Sequence, residues 1–494
     1  MIPRVAIVDP TPSGFGIDRA KKEAMLSPRR HLGSLQASTI VRAVCPPIAR
    51  TVAGKERKVL TGMVHARRPL YAILASLLVV MAATACGGGA APAATKAPDK
   101  AAPAATTAPA APSAAATTVP AAAPSAATSA PAAAAAGGGE IRIGGIINIT
   151  GQNASQGALY MKAADLAVKQ VNDAGGVNGK KINFIKEDAQ SSNPGALAAL
   201  NKTIEQNKPL VIAGPNLSTQ LLAMSDTLKA AGIPMTMGGT NVTLTKKDNP
   251  WFFRMRPDDS IAAAAIVLHI KDNLKLTKVG IINDTDAYGA GGGDLVEKYC
   301  KDQGLQVVRR EQFTAGTKDY TSQLLAMKTA GAEVIAAYVT RPEDAARVAE
   351  QYRGIGSPFE FVGAPQFGER DTLGLAKGAT AGLSAVVDFM PGVTDENKKY
   401  LADYDKEYPG QKPDTQGTYM RDSIFLYANA IKKVGEDRNK IREAILSIKS
   451  DWKGACGTYN FTPNGDGLHA NTIIQVDPDG NYKFVKTLEV PPTN

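Results

Sequence analysis

The chain has 494 residues, of which 44% are hydrophobic, and this length allows two to four domains. Its formal net charge is +10, but residues 1–85 contain 13 Lys/Arg against four Asp/Glu, so the remainder is nearly neutral. A nearly neutral remainder without a stripe of Lys and Arg excludes a nucleic-acid-binding protein, which needs clustered positive charge against phosphates.

A predicted export signal begins at Met63, far from the start of the chain. Two arginines give it a positive segment, and the predominantly apolar run Leu70–Ala83, 14 residues long, follows. A membrane-spanning helix needs about 20 apolar residues, so this run is typical of a signal peptide. The following Ala-Thr-Ala-Cys resembles a bacterial lipobox, although Ala83 stands where that motif prefers Leu. We predict a signal peptide at 63–85 and a lipidated Cys86, with cleavage without lipidation as the alternative.

The regions on either side of this signal are not expected to form a core. Residues 1–62 have no role that the sequence supports, and we interpret them as an upstream extension from a translation start placed too early. Residues 86–139 are almost entirely Ala, Pro, Thr, Ser and Gly, and they cannot bury enough apolar surface to offset the entropy of ordering. We predict a disordered tether behind the lipid anchor, kept extended by its prolines.

From residue 140 onward, short β-branched runs alternate with amphipathic stretches. The predicted strands are Ile141–Ile149, Lys181–Glu187, Leu210–Ala213, Lys278–Asn283, Gln306–Gln312 and Glu333–Val339. The predicted helices are Gly157–Ala174, Gly195–Gln206, Thr219–Ala231, Gly291–Gln303, Thr321–Ala330 and Pro342–Gly354. This alternation predicts parallel sheets with helices on both faces. A segment of about 355 residues exceeds one comfortable core, so two α/β lobes are expected.

Short motifs in the loops of this α/β region follow one another in a fixed order. They are Gly151…Gly157, Gly175-Gly176-Val177-Asn178-Gly179, Gly214-Pro215-Asn216-Leu217-Ser218-Thr219, Gly232-Ile233-Pro234, Tyr288-Gly289 and Asp319-Tyr320-Thr321. The ordered series resembles the branched-chain amino-acid type of periplasmic binding protein, from about Ile141 to the C-terminus. The resemblance implies a type I periplasmic binding fold, which is α/β with two doubly wound parallel-sheet lobes. A three-crossing hinge joins the lobes and lets them close over a ligand.

The resemblance also implies where the lobes begin and end. The crossings are expected near Pro257, Asp388 and Thr462. The ligand-binding domain is therefore predicted at 140–494, with lobe 1 at about 140–257 plus 389–462 and lobe 2 at about 258–388 plus 463–494. Since one chain contains both lobes, we expect a monomer.

The candidate ligand-binding residues come from loops that follow predicted strands, where ligands bind in doubly wound sheets. Ser218 opens the helix predicted from Thr219, and helix N-termini bind anions. The resemblance implies that Ser218, Gly238 and Thr240 hold a ligand carboxylate, and that Tyr288 lies against the ligand. A simple helix cap and a surface tyrosine are the alternatives. The predicted set also contains polar residues of the neighbouring loops, namely Gln156, Thr219, Arg341 and Gln366.

One loop departs from the family pattern. Amino-acid binders place an acidic residue for the ligand ammonium after the strand Glu360–Val362, where this chain has Gly-Ala-Pro-Gln-Phe-Gly. A buried ammonium without a counter-charge is costly, so we predict an amide or a carboxylate-bearing ligand without a charged amine. Arg341 is a candidate partner for such a carboxylate. If the ligand does carry an ammonium, Glu369 or Asp284 is the candidate substitute.

The sequence carries no signal for catalysis or metal binding. Only His269 and His469 lie beyond the signal, no Cys/His spacing suits zinc, and neither a metal nor a cofactor is predicted. The glycine-rich segment 289–294 lacks the third glycine of a dinucleotide fingerprint. No nucleophile motif is found, so we do not predict an enzyme. A disulfide between Cys300 and Cys456 is left open, because sequence separation does not give distance.

Together these features predict an exported lipoprotein on the outer face of the cell membrane, which is the periplasmic side where there are two membranes. It is expected to capture an amino acid, amide or small carboxylate for the permease and ATPase subunits of an ABC importer. A ligand-sensing receptor subunit for a separate signalling partner is the alternative, because capture and sensing use the same cleft. An enzyme on this fold would need an acid, base or nucleophile that the sequence does not show.

Overall fold

The structure is a computed structural model that describes residues 6–8, 139–246 and 248–490. The predicted signal peptide, Cys86, nearly all of the predicted upstream extension and the tether as far as residue 138 lie outside the described residues. Within the described part of the chain, no helix is both long enough and apolar enough to cross a membrane.

Strands and helices alternate along most of the described chain. The strands are β1 (Ala6–Val8), β2 (Glu140–Ile147), β3 (Lys181–Asp188), β4 (Val211–Ala213), β5 (Met235–Met237), β6 (Phe252–Arg254), β7 (Lys278–Asp284), β8 (Gln306–Phe313), β9 (Val334–Tyr338), β10 (Glu360–Gly363), β11 (Ser384–Val387), β12 (Lys449–Lys453), β13 (Thr458–Asn460), β14 (Ala470–Val476) and β15 (Tyr482–Glu489). The α-helices are α1 (Ala154–Asp173), α2 (Asn193–Lys202), α3 (Ser218–Ala231), α4 (Thr243–Lys246), α5 (Asp259–Leu268), α6 (Ala287–Asp302), α7 (Thr321–Thr329), α8 (Pro342–Gly354), α9 (Arg370–Leu375), α10 (Asp395–Glu407), α11 (Thr418–Val434) and α12 (Arg438–Leu446).

Lobe 1 is built on a five-stranded parallel sheet with the order β3-β2-β4-β5-β6. The first strand of this lobe in the chain, β2, therefore lies between β3 and β4, and the strand order reverses beside it. In open α/β sheets a ligand binds outside the carboxyl ends of the strands at such a reversal. The loops after β2 and β4 are thus the expected site of ligand binding in lobe 1.

Lobe 2 repeats this arrangement in a larger sheet with the order β1-β15-β14-β11-β10-β9-β7-β8. The five strands β8-β7-β9-β10-β11 are parallel, and the order reverses between β7 and β9. Strands β14, β15 and β1 are antiparallel to their neighbours, so this sheet is mixed and not purely parallel as predicted. An antiparallel hairpin added to the edge of a parallel sheet is common in α/β folds.

The chain passes between the two sheets three times. It leaves lobe 1 after β6, returns after β11 to form α10, α11 and α12, and enters lobe 2 again before β14. The predicted fold class, with two doubly wound lobes and a three-crossing hinge, is confirmed. The lobe limits themselves remain expectations.

Each sheet is covered by buried side chains on both faces, as a doubly wound fold requires. In lobe 1, α1 and α11 pack on one face, and α2 and α3 pack on the other. In lobe 2, α5 and α6 cover one face, and α7 and α8 cover the opposite face. The helices therefore hold the loops at the strand ends at fixed positions.

We expect Gly157→Ala to destabilise the protein, because α1 crosses the loop after β2 at very short range. A Cβ atom at Gly157 would lie 1.9 Å from the backbone oxygen of Asn148, and a backbone atom cannot move aside cheaply. Overpacking of this kind costs about 1–3 kcal/mol or more. As a control, Gly354→Ala in α8 meets open space, and it should cause no loss in urea denaturation. Equal stability of the two variants would contradict this close approach.

Candidate functional site

The predicted ligand-binding residues lie where the strand order of each sheet reverses. Gln156 follows β2 and Ser218 follows β4 in lobe 1, whereas Tyr288 follows β7 and Arg341 follows β9 in lobe 2. Gln366 follows β10, the next strand of the same sheet. The two sets of loops face each other across a cleft between the lobes, and hydrogen bonds join them directly.

Ser218 is the first residue of α3, so this helix begins one residue earlier than predicted. Leu217 is the N-cap residue and provides no side-chain cap. The Ser218 hydroxyl oxygen accepts a hydrogen bond from the backbone amide of Asn241 at 3.2 Å, so it does not cap its own helix. Thr219 follows on the same turn and is half-buried. The Ser218 hydroxyl proton stays available to an acceptor in the cleft.

The loop from Gly238 to Asn241 is fixed by two arginines, Arg254 at the end of β6 and Arg256 two residues later. Arg254 is fully buried and donates to the carbonyl oxygens of Gly239 at 2.6 Å and Asn241 at 3.1 Å. Arg256 donates to the carbonyl oxygen of Gly238 at 2.9 Å. The carbonyl groups of this loop other than that of Thr240 thus accept from the two arginines. Their fixed direction sets the position of the predicted ligand residues Gly238 and Thr240.

Arg256 also forms a buried ion pair with Asp388. Its Nε and Nη2 atoms donate to the two carboxylate oxygens at 2.5 Å and 3.2 Å, which is bidentate geometry. Burial alone would lower the pKa of Arg256, but the Asp388 carboxylate raises it well above its usual value. Because Arg256 follows β6 and Asp388 follows β11, the pair joins the first two crossings between the lobes.

A series of hydrogen bonds between side-chain amides joins the two lobes across the cleft. Gln156 donates through Nε2 to Oε1 of Gln366 at 3.2 Å and accepts from Nδ2 of Asn216 at 2.8 Å. Gln366 in turn donates to the Thr372 hydroxyl at 2.9 Å. Both glutamines are buried. The predicted residues Gln156 and Gln366 are therefore in direct contact.

Tyr288 and Thr240 belong to a second polar group at the cleft. The Tyr288 ring packs on Tyr338, with 4.8 Å between the ring centroids, and the Tyr338 hydroxyl donates to Asp259 at 3.1 Å. The backbone amide of Asp259 donates to the carbonyl oxygen of Thr240 at 2.9 Å. Burial raises the pKa of Asp259 to about 7. The Tyr288 hydroxyl is buried and has no hydrogen-bond partner among the described residues.

Arg341 is not brought into contact with the other predicted residues. It is the N-cap residue of α8, is half-exposed, and lies near Asp286, whose pKa burial raises and Arg341 lowers. The loop that contains it nevertheless ends at the cleft. Its role in ligand binding stays a prediction.

The two acidic residues considered as ammonium partners are already hydrogen-bonded. Asp284 accepts from the amide and the hydroxyl of Thr340 and from the amide of Asp286, so it ties the ends of β7 and β9 together. Burial raises its pKa to about 7. Glu369 accepts from Thr415 and Gln416 on the opposite lobe. Both carboxyl groups therefore already accept hydrogen bonds from other residues of the protein.

The described residues give no support to a metal site or a disulfide. No group of three or more His, Cys, Asp or Glu within them is arranged to hold a metal ion. Cys300 and Cys456 are both buried and free. The glycine-rich segment 289–294 lies inside α6, and not in a turn between a strand and a helix.

Sequence reasoning missed the buried charges that hold the site together. Arg254, Arg256 and Asp259 lie around the first crossing, and Asp388 begins the second. One signal was present, since Arg254 and Arg256 alternate with the apolar residues Phe253 and Met255 at the end of a strand. Charged residues are rare in a strand that is buried on both faces, and those that occur usually have a buried partner of opposite charge.

Comparisons with known proteins agree with this geometry. A family described as periplasmic binding protein matches residues 140–481. An "Amino acid binding protein" of Pseudomonas aeruginosa is 32% identical over 214 residues, which cover 43% of this chain and 57% of that protein. The "Leu/Ile/Val-binding protein homolog 1" of Brucella abortus is 26% identical over 352 residues, which cover 70% of this chain and 94% of that protein.

Solved structures share the same fold. The branched-chain amino acid transporter substrate binding protein of Streptococcus pneumoniae, solved in complex with isoleucine, superposes with a TM-score of 0.65. It is 24% identical, and the match covers 70% of this chain and 99% of that chain. The ordered loop motifs, the two reversed sheets and the family match agree, and the chain belongs to the periplasmic binding protein family.

Proposed function

We propose that this protein captures a small polar ligand outside the cytoplasm by closing its two lobes, and delivers the ligand to the permease and ATPase subunits of an ABC importer. The observation that carries the proposal is the meeting of polar residues from both lobes at the carboxyl ends of the parallel strands, in loops at and beside the two strand-order reversals. Gln156 and Gln366 bond directly across the cleft, and Asn241 donates to the carbonyl oxygen of Ala287 at 2.6 Å. Family membership supports an extracytoplasmic location and a transport role.

The cleft favours a ligand with hydrogen-bonding groups. The Tyr288 hydroxyl is buried without a partner in the described part of the protein, and a buried polar group of this kind is costly unless something pairs with it. Ser218 opens α3, whose N-cap residue Leu217 provides no side-chain cap for the first amides, and a helix N-terminus stabilises an anionic group. We therefore propose that a carboxylate or amide oxygen of the ligand lies between Ser218 and Tyr288.

The proposed ligand does not carry a charged amine. Gln366 occupies the loop where the amino-acid binders have an acid, and Asp284 is committed to Thr340. Asp259 is an acid of the cleft, but burial raises its pKa to about 7 and so disfavours its charged form. A ligand ammonium would therefore meet an acid whose ionised form is disfavoured.

Native mass spectrometry of the purified protein tests the proposed function. We expect one small molecule per chain, released on unfolding and recovered unchanged after incubation with the refolded protein. Conversion of that compound into a product would contradict a binding role. Calorimetry with leucine and with 4-methylpentanoate, which lacks the amine, then tests the ligand class. The proposed class is wrong if leucine binds and 4-methylpentanoate does not.

We also propose that Cys86 carries the lipid anchor, on the evidence of the signal and lipobox that precede it. Cys86→Ser should move the protein from the membrane fraction to the soluble fraction, because a signal peptide alone leaves no anchor after cleavage. Cys300→Ser is the matched control, since Cys300 is a buried free cysteine of the ligand-binding domain, and it should leave the fractionation unchanged. A Cys86→Ser protein that stays in the membrane after processing would contradict the anchor.

A further inference from the structure

Glu369 is a buried acid of lobe 2 that bonds to lobe 1. It lies between the turn Pro365–Gly368 and α9, and its side chain is fully buried. Its carboxyl oxygens accept from the amide of Thr415 at 3.1 Å, the amide of Gln416 at 3.3 Å and the hydroxyl of Thr415 at 2.5 Å. The candidate ligand residues take no part in these bonds.

The partners of Glu369 lie in the segment immediately before α11, a helix that belongs to lobe 1. This helix packs along α1, and a Cβ atom at Gly417 would lie 2.6 Å from the Tyr160 ring of α1. Its N-cap residue is Gly417, which provides no side chain to accept from the free amides of the first turn. Glu369 accepts from the backbone amides of Thr415 and Gln416, which immediately precede this N-cap residue, and so fixes the segment that leads into α11 from the other lobe.

A second carboxyl completes this cluster. Asp414 accepts from the amide of Gly417 at 2.6 Å through Oδ1, whereas its Oδ2 is buried and has no donor among the described groups. Its carboxyl faces that of Glu369, so one proton held between the two would satisfy Oδ2. Burial, and then the charge of Asp414, raise the pKa of Glu369 well above its usual value. The pair is therefore expected to hold a proton at neutral pH.

Other charges near the pair do not neutralise it. The titratable and charged groups that face it are Arg256, Arg370, Asp371, Asp388, Tyr160 and Tyr482. Arg256 is paired with Asp388, and Arg370 donates to the carbonyl oxygen of Gly480 while its guanidinium lies over the Tyr482 ring. Burial also raises the pKa of Asp371 to about 8. The surroundings thus favour a protonated pair.

We propose that Glu369 is a cross-lobe latch, which holds the lobes closed by accepting from Thr415 and Gln416, just before α11, and sharing a proton with Asp414. The inference rests on the proposed closure of the cleft, and it adds a contact that acts without ligand. Opening the lobes would expose both carboxyls to water and return them to their usual acidity. The closed form then binds a proton that the open form has lost, so closure weakens as pH rises above the usual carboxyl range.

The distance between the lobes in the ligand-free full chain tests the latch. Spin labels are attached at Asp226→Cys in α3 and Lys301→Cys in α6, which are exposed positions on opposite lobes. The protein without these two substitutions, treated with the same label, gives the background signal from the native cysteines. Glu369→Ala should lower the ratio of closed to open molecules about ten- to a hundredfold, as expected for losing several hydrogen bonds between the lobes. Asp395→Ala, at the exposed start of α10, is the matched control and should leave the ratio unchanged.

Glu369→Gln separates the latch from general damage to the fold. Glutamine can accept from Thr415 and donate to Asp414, so this variant should stay closed and should no longer open as pH rises. An unchanged distance in Glu369→Ala, or the wild-type pH dependence in Glu369→Gln, would overturn the latch. If the wild-type protein closes around its co-purified compound, and the lobe distances of Glu369→Ala equal those of the wild type with and without the compound, the latch alone is refuted. A protein that binds no compound but opens in Glu369→Ala would refute the proposed function alone.

Discussion

Arg256→Met is expected to destabilise the folded protein by about 3–5 kcal/mol, because it leaves Asp388 buried without its partner. Both side chains are buried, and the guanidinium bonds to both carboxylate oxygens as well as to the Gly238 carbonyl. Urea denaturation monitored by circular dichroism measures the loss. The exposed pair Lys398–Asp395 is the control, and Lys398→Ala should change the free energy of unfolding by less than about 1 kcal/mol.

The double variant Arg256→Met with Asp388→Leu distinguishes a lone buried charge from a general packing defect. Replacing both members of a buried ion pair with apolar residues is often close to neutral. Most of the stability lost in Arg256→Met should therefore return in the double variant. If the two single losses simply add, the residues do not interact as the structure shows.

Tyr288→Phe is expected to weaken ligand binding about tenfold to a hundredfold, while the stability of the empty protein stays unchanged or rises slightly. The Tyr288 hydroxyl is buried without a partner among the described residues, so folding gains nothing from it. A hydrogen bond to a charged ligand group contributes roughly 1.5–3 kcal/mol, which corresponds to this change in affinity. Calorimetry with the co-purified compound and thermal unfolding of the empty protein give the two quantities.

Tyr320→Phe is the control in the same lobe, and it should lower stability without changing ligand affinity. The Tyr320 hydroxyl is bonded to the carbonyl oxygen of Thr317 and to Asp344, both at 2.9 Å. Removing it should lower stability by about 1–3 kcal/mol, since Asp344 is buried, and should leave ligand affinity unchanged. Weaker binding in Tyr320→Phe than in Tyr288→Phe would contradict the position assigned to the ligand.

The regular elements of the first half of the domain were predictable because their apolar pattern has a clear period. Helix α8 has the predicted bounds, with a proline in its first turn, and β7 and β8 each extend only one residue beyond the prediction. Helix α6 was predicted to begin at Gly291, yet it begins at Ala287. Glycines usually interrupt helices, but here packing decides, since a Cβ atom at Gly292 would lie 2.1 Å from the Tyr338 ring.

The positions of the candidate residues were predictable from the topology, but their partners were not. A parallel sheet brings its carboxyl ends to one edge, so Gln156, Ser218 and Tyr288 had to lie near the cleft. The bonds that fix the site join residues far apart in the chain, such as Arg256 with Asp388, 132 positions later. No local sequence pattern indicates that two residues so far apart in the chain are in contact. The cross-lobe role of Glu369 depends in the same way on the position of α11.

The distance between the lobes with and without ligand tests the central claim most directly. Spin labels at the two exposed positions used for the latch, Asp226→Cys and Lys301→Cys, report this distance in the full chain. Addition of the co-purified compound to ligand-free protein should shorten and narrow the distance distribution, with saturation at one molecule per chain. An identical distribution at saturating compound would show that binding does not close the cleft, and would contradict the account.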